Sequence, residues 1–163
     1  MKELKHILEQ VNPIKIIGDT AIAVNELKLD SRKVEKGDVF FAVKGTTADG
    51  HFFIPKVTEQ GASVIVCEEI PSELNAAVVY VQVKDARKTS AIMACNFYDH
   101  PSKKIQLVGV TGTNGKTSVA TLLHQIYVQK NHKSGLLSTI VNKINNEEIP
   151  STHTTPDPIA INA

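Results

Sequence analysis

Residues 109–118 read Gly-Val-Thr-Gly-Thr-Asn-Gly-Lys-Thr-Ser, and their types and spacing suit the handling of phosphate. Gly112 and Gly115 free the backbone to turn tightly, so that successive N–H groups converge on an anion. Lys116 would reach the β- and γ-phosphates of a nucleotide, and the Thr117 hydroxyl would sit on Mg²⁺. Val119, Leu122, Leu123 and Ile126 recur at helical spacing just beyond, which puts a helix N-terminus and its partial positive charge at the same point. The commoner phosphate-loop pattern wants a glycine five residues before Gly115, and Val110 stands there instead. Bare, the segment also describes a Gly-rich strand-to-helix turn with a solvated lysine. The apolar run Ile105–Val110 before it, which predicts a buried strand, and the helical pattern after it favour the phosphate loop.

Three further clusters fall between apolar runs: Leu29-Asp30-Ser31-Arg32, Gly37-Asp38-Val39-Phe40, and Gly45-Thr46-Thr47-Ala48-Asp49-Gly50-His51. Each alone describes a polar turn between strands. Thr154-Thr155-Pro156-Asp157, alone, describes the start of a helix, where proline is favoured.

The elements that must position these groups follow from periodicity. Residues 2–11 carry Leu4, Ile7, Leu8 and Val11 on one helical face, ended by Asn12-Pro13. Short β-type runs follow at 14–17, 21–24 and 26–29, then Val39–Val43, Val64–Val66 and Val78–Val81 as buried strands. His51–Gln60 predicts a helix closed by Gly61, and Asp85 a cap for a helix from Ala86 to about Tyr98. Asp99-His100-Pro101-Ser102 breaks the pattern. We place a domain boundary there, with residues 1–101 as a mixed α/β domain and 102–163 as the start of a second. Ser134–Thr139 is the expected next strand, completing one βαβ unit, and Val141–Ile144 and Glu147–Ile149 flank Asn145-Asn146 as a hairpin. A nucleotide-binding α/β domain needs more parallel strands than 102–163 supply, so the second domain is expected to be incomplete.

Composition narrows the function classes. The chain has 163 residues, 42% of them hydrophobic and 21% charged, with a net charge of +1. That balance offers no basic field for nucleic acid, so anionic ligands must be held by local groups. No apolar run approaches membrane-spanning length, and the N-terminus lacks a signal-peptide core, which points to the cytoplasm and no membrane insertion. Cys67 and Cys95 lie in apolar patterns and read as small buried hydrophobes, while the six histidines show no ligand spacing.

Taken together and in order, these segments resemble the Mur ligase family. TGTNGKTS at 111–118 resembles its ATP-binding loop, and DSR at 30–32, GDVFFAVKG at 37–45 and DG at 49–50 resemble its uridine-nucleotide-binding domain. TTPD at 154–157 resembles the segment of the branch that adds the third stem-peptide residue. The resemblance implies an α/β fold: a small mixed uridine-nucleotide domain, then the beginning of a phosphate-loop ATPase domain with a parallel sheet. It implies an ATP-dependent amide ligase that joins L-lysine or meso-diaminopimelate to the D-glutamate side chain of UDP-MurNAc-L-Ala-D-Glu through an acyl phosphate. By position, Leu29, Ser31, Thr46, Thr47 and Ala48 would contact the uridine diphosphate. Gly112, Thr113, Asn114, Gly115, Lys116, Thr117 and Ser118 would bind ATP, with Lys116 catalytic and Thr117 on Mg²⁺. Thr154 and Thr155 would hold the muramoyl-dipeptide, together with His153, which stands where the family often has asparagine. The resemblance also implies that this chain alone lacks ligase activity. Competing readings are the D-alanyl-D-alanine-adding branch, a folylpolyglutamate synthase, or a non-catalytic UDP-sugar or nucleotide-binding module.

Overall fold

A computed structural model describes residues 1–45, 48–150 and 156–163. They divide into two compact units, 1–104 with 162–163, and 105–161.

The first unit opens with β1 (Lys2–Glu3) and α1 (Leu4–Ile7), then β2 (Lys15–Ile17), β3 (Ala23–Val24) and β4 (Leu27–Lys28). The predicted helix over 2–11 is cut short because Lys2 and Glu3 pair antiparallel with Val24 and Ala23. Leu4 and Ile7 are still fully buried on one face, as their spacing requires. There follow β5 (Val39–Ala42), α2 (Ile54–Glu59), β6 (Val64–Cys67), β7 (Val79–Gln82) and α3 (Ala86–Phe97). The main sheet runs β2-β7-β6-β5-β4, with β4 to β7 mutually parallel and β2 antiparallel on the edge.

A parallel sheet covered on both faces demands near-continuous apolar strands, and β5, β6 and most of β7 satisfy this. Phe40, Ala42, Ile65, Cys67, Val78 and Tyr80 pack on one face against Ile54 and Val57 of α2. The alternate residues Val39, Phe41, Val64, Val66 and Val81 are equally buried. Tyr80 is 1% exposed, and its hydroxyl accepts the Asn75 N–H at 3.1 Å. Gly61 takes a φ of +95° after α2, with Ala62 N–H on Val57 O and Gly61 N–H on Thr58 O, the bonding of a helix-ending glycine. On α3 the buried positions are Ala86, Thr89, Ser90, Met93 and Ala94, while the apolar Ala91 and Ile92 are only half-buried. Ser90 is accommodated by donating to Arg87 O at 2.7 Å.

The second unit holds α4 (Lys116–Gln129), β8 (Gly135–Leu136), β9 (Val141–Ile144) and β10 (Glu147–Pro150), and α5 (Pro158–Asn162) closes the chain. The hairpin at Asn145-Asn146 forms as expected, with Asn145 at a left-handed φ of 53°. His124 of α4, 5% exposed, clasps it: Nε2 donates to Asn145 O at 3.0 Å, and Nδ1 lies 3.0 Å from Ser134 Oγ. Two expectations fail here. Ile105–Val110 is not a strand, and Ile105, Leu107 and Val108 are 62, 68 and 61% exposed. A buried strand needs neighbours to pair with, and among the described residues none lies beside this run. Nor do residues 134–139 complete a βαβ unit. Only Gly135–Leu136 is extended, and it pairs antiparallel with β9.

Asp85 caps α3 by accepting the Lys88 N–H at 2.8 Å. Asp85→Ala is expected to lower unfolding free energy by about 1 kcal/mol, read from the shift in urea midpoint at constant slope.

Candidate functional site

Four parallel strands send four connections out of one edge of the sheet, and ligands of open α/β sheets bind beyond the carboxyl ends of such strands. Leu29, half-buried, leaves β4 there. Asp30 then caps the 3₁₀ turn Ser31–Lys33 by accepting the Arg32 N–H at 3.0 Å. The Arg32 guanidinium closes on the same carboxylate, Nε to Oδ1 at 2.9 Å and Nη2 to Oδ2 at 2.8 Å. These bonds, the side-chain one first, hold the Asp30 carboxyl well below the usual carboxylate range. Ser31 is carried inward by the turn and is 8% exposed.

The neighbouring strand β5 delivers the second segment. Lys44 and Asp49 form an antiparallel bridge, Gly45 N–H reaches Ala48 O at 2.9 Å, and Gly50 N–H returns to Val43 O at 3.0 Å. Gly50 is confined: a Cβ there would stand 2.7 Å from Val43 N. Ala48 is exposed, and Thr46 and Thr47 lie outside the described residues. Asp49 repeats the Asp30 device, accepting the His51 N–H at 2.9 Å to cap the 3₁₀ turn Gly50–Phe53. Its carboxyl is lowered by that backbone bond and then by the His51 ring, whose Nδ1 lies 2.6 Å away.

Beyond β6 stand groups that the motifs did not indicate. Glu68 and Glu69 N–H donate to His51 Nε2 at 3.0 and 3.2 Å. Lys44 Nζ meets Glu69 Oε1 at 2.7 Å, which lowers the Glu69 carboxyl and raises the Lys44 ammonium. Glu68 Oε1 accepts the Ala86 N–H at 3.1 Å, tying the β6 end to the start of α3. The backbone donors at 68 and 69 leave no mark in the side-chain pattern; only Asp49-x-His51 hinted at a local polar cluster.

In the second unit, residues 111–116 are exposed and lead directly into α4. Gly115 sits at the helix N-cap with φ 76°, a conformation glycine adopts without penalty, and no side chain caps the first turn. The first N–H groups of α4 are therefore free of any side-chain cap, as an anion site requires. Lys116 Nζ folds over the loop, donating to Gly112 O at 2.5 Å and Thr113 O at 3.3 Å. Thr117 is half-buried, and Thr113, Asn114 and Ser118 are exposed. His153, Thr154 and Thr155 lie outside the described residues. After them Asp157 caps α5, accepting the Ile159 and Ala160 N–H groups at 2.9 Å each. Among the described residues no group of three or more His, Cys, Asp or Glu could hold a metal ion, and no helix is long and apolar enough to cross a membrane.

Comparison with known proteins gives a consistent result. Residues 23–98 match the Mur ligase family catalytic domain, and residues 110–163 match the Mur ligase middle domain. The chain is 49% identical over 160 residues to UDP-N-acetylmuramoyl-L-alanyl-D-glutamate--2,6-diaminopimelate ligase of Bacteroides fragilis, covering 98% of this chain and 33% of that protein. The protein of the same name from Cytophaga hutchinsonii is 47% identical, with the same coverage of 98% and 33%. The chain thus spans about a third of the length of the curated relatives it matches. Among solved structures, one of a ligase with that name superposes at a TM-score of 0.70, with 22% identity over 95% of this chain and 31% of the other. The MurF ligase of Thermotoga maritima, in complex with ADP, gives 0.56 and 28% identity over 85% and 29%.

The lowered carboxyls set a sign for acid stability. A folded value below the unfolded one adds stability above the unfolded value, near pH 4, and loses it as pH falls toward the folded value. Asp30→Asn and Asp49→Asn are each expected to destabilise the chain at neutral pH. Their gap from the unsubstituted chain should narrow steadily below about pH 4, as measured by urea unfolding across pH.

Proposed function

The chain belongs to the Mur ligase family, and from that membership we propose that it carries the uridine-nucleotide site and the ATP-phosphate loop of a third-residue-adding amide ligase. The observation that carries this reading is the placement of Leu29, Ser31 and Ala48 just past the carboxyl ends of the adjacent parallel strands β4 and β5. In this reading Leu29, Ser31, Thr46, Thr47 and Ala48 receive the uridine diphosphate. We assign residues 1–101 to this domain and 102–163 to the beginning of the ATP-binding domain. The protein is cytoplasmic in this reading, where its nucleotide substrates are.

In the second domain Gly112 to Ser118 cradle the ATP phosphates. The exposed loop, the uncapped first turn of α4 and a lysine at its head fit a polyphosphate. The Lys116 ammonium exchanges its two loop carbonyls for phosphate oxygens and offsets charge as the γ-phosphoryl group moves. The Thr117 hydroxyl would supply one ligand to Mg²⁺, which when bound would offset phosphate charge. The D-glutamate side-chain carboxylate takes the phosphoryl group, releasing ADP. The incoming amine then attacks the acyl carbon, loses a proton and expels inorganic phosphate as the amide forms. His153, Thr154 and Thr155 hold the muramoyl-dipeptide. The names of the 49% and 47% identical relatives favour 2,6-diaminopimelate over lysine as the amine. They also favour this branch over the D-alanyl-D-alanine-adding one, to which the MurF likeness would point.

Residue-resolved amide shifts test the assignment. UDP-MurNAc-L-Ala-D-Glu should perturb residues 29–31 and 44–51, and Ser31→Ala should weaken it. Mg-ATP should perturb 112–118, with Lys116→Ala lowering affinity roughly tenfold to a hundredfold, the worth of a charged hydrogen bond. Nucleotide-sugar shifts confined to 112–118 would sink the first-domain assignment. The 163-residue chain alone is expected to form no amide product, and product formation by it in a coupled phosphate-release assay would refute that.

A further inference from the structure

His51 has a place in none of the assigned contacts, yet it joins the ends of two parallel strands. Its side chain is 14% exposed. Nε2 receives two backbone N–H groups, from Glu68 at 3.0 Å and Glu69 at 3.2 Å. Backbone amides only donate, so Nε2 is the unprotonated nitrogen and the ring hydrogen sits on Nδ1, 2.6 Å from Asp49 Oδ1. One neutral tautomer thus satisfies both sides. Through it Asp49 is tied to the end of β6, in parallel with the Lys44–Glu69 ion pair.

We propose that His51 is a positioning residue for the uridine-nucleotide site, and that protonation of its ring releases the segment from Ala48 to His51 from the end of β6. The proposal rests on the nucleotide reading given above. A proton on Nε2 would face two N–H donors with no acceptor between them, and that contact must open. The charged groups around the ring are Asp49 beside Nδ1, Glu68 and Glu69 at the β6 end, and Lys44 at the β5 end, which lies 3.9 Å from Glu68 and 2.7 Å from Glu69. A protonated ring keeps Asp49 Oδ1 beside Nδ1, while the two amides lose their acceptor. Imidazole changes charge between about pH 5 and pH 8, within reach of an ordinary titration. The outcome is a nucleotide site whose affinity falls on the acid side, through the loss of a positioning contact.

The test uses the 163-residue chain and UDP-N-acetylglucosamine, which keeps the uridine, diphosphate and hexosamine and whose diphosphate does not titrate in this range. Affinity is measured by calorimetry from about pH 8 to about pH 5.5, beside the ring ¹⁵N signals of His51. The expected result is a loss of about fivefold or more, with the same midpoint as the His51 ring, whose neutral form carries its hydrogen on Nδ1. His51→Gln should bind more weakly than the unsubstituted chain at pH 8 and show no step. Affinity that stays constant while the His51 ring titrates, or a neutral ring protonated on Nε2, overturns the proposal and leaves the nucleotide site standing. No binding at any pH overturns both. The pH profile and ring signals come from the unsubstituted chain, so neither depends on how well the variant folds.

Discussion

Parallel pairing of β4, β5, β6 and β7 is the constraint on which the first unit depends. Parallel strands need covered crossovers, so every connection must leave from one edge and return at the other. The departing segments begin at Leu29, Val43, Glu68 and Val83, and their starts are thereby gathered along one rim. Had β4 or β5 run the other way, Ser31 and Ala48 would stand at opposite ends of the sheet. The site is a product of strand direction before it is a product of side-chain identity.

The same rim is shaped by one device used repeatedly. Asp30, Asp49 and Asp85 each precede a turn or helix, and each accepts a backbone N–H from it. An aspartate there starts the turn, because its short carboxylate takes up an amide that the turn itself leaves unpaired. Asp157 does the same at α5. At Asp30 and Asp49 the carboxylate is also taken up by a side chain, Arg32 or His51, so the start of the turn and the orientation of a neighbouring side chain are set together.

Much of this was legible in the chain. Val39–Ala42, Val64–Cys67 and Val79–Gln82 announce themselves because a doubly covered strand has to be apolar throughout, and the Asp85 cap and the Asn145-Asn146 turn follow from local chemistry. What escaped depends on partners distant in sequence. Lys2 and Glu3 leave the helical pattern only because Val24 and Ala23 lie beside them. Ile105–Val110 has the composition of a strand without a strand's neighbours. Thr89 and Ser90 sit on the buried face of α3, where an apolar count would not put them. His51 meets backbone donors, which no reading of side chains can anticipate.

Cys67 ends β6 at the heart of the sheet, fully buried, and burial pushes its thiol up to about 11. At neutral pH it is a thiol without solvent access, while Cys95 on α3 is only half-buried. An alkylating reagent can therefore reach Cys67 only when the central strands part. Its slow phase of modification is a built-in clock for opening of the sheet, readable in the unlabelled chain by mass alone.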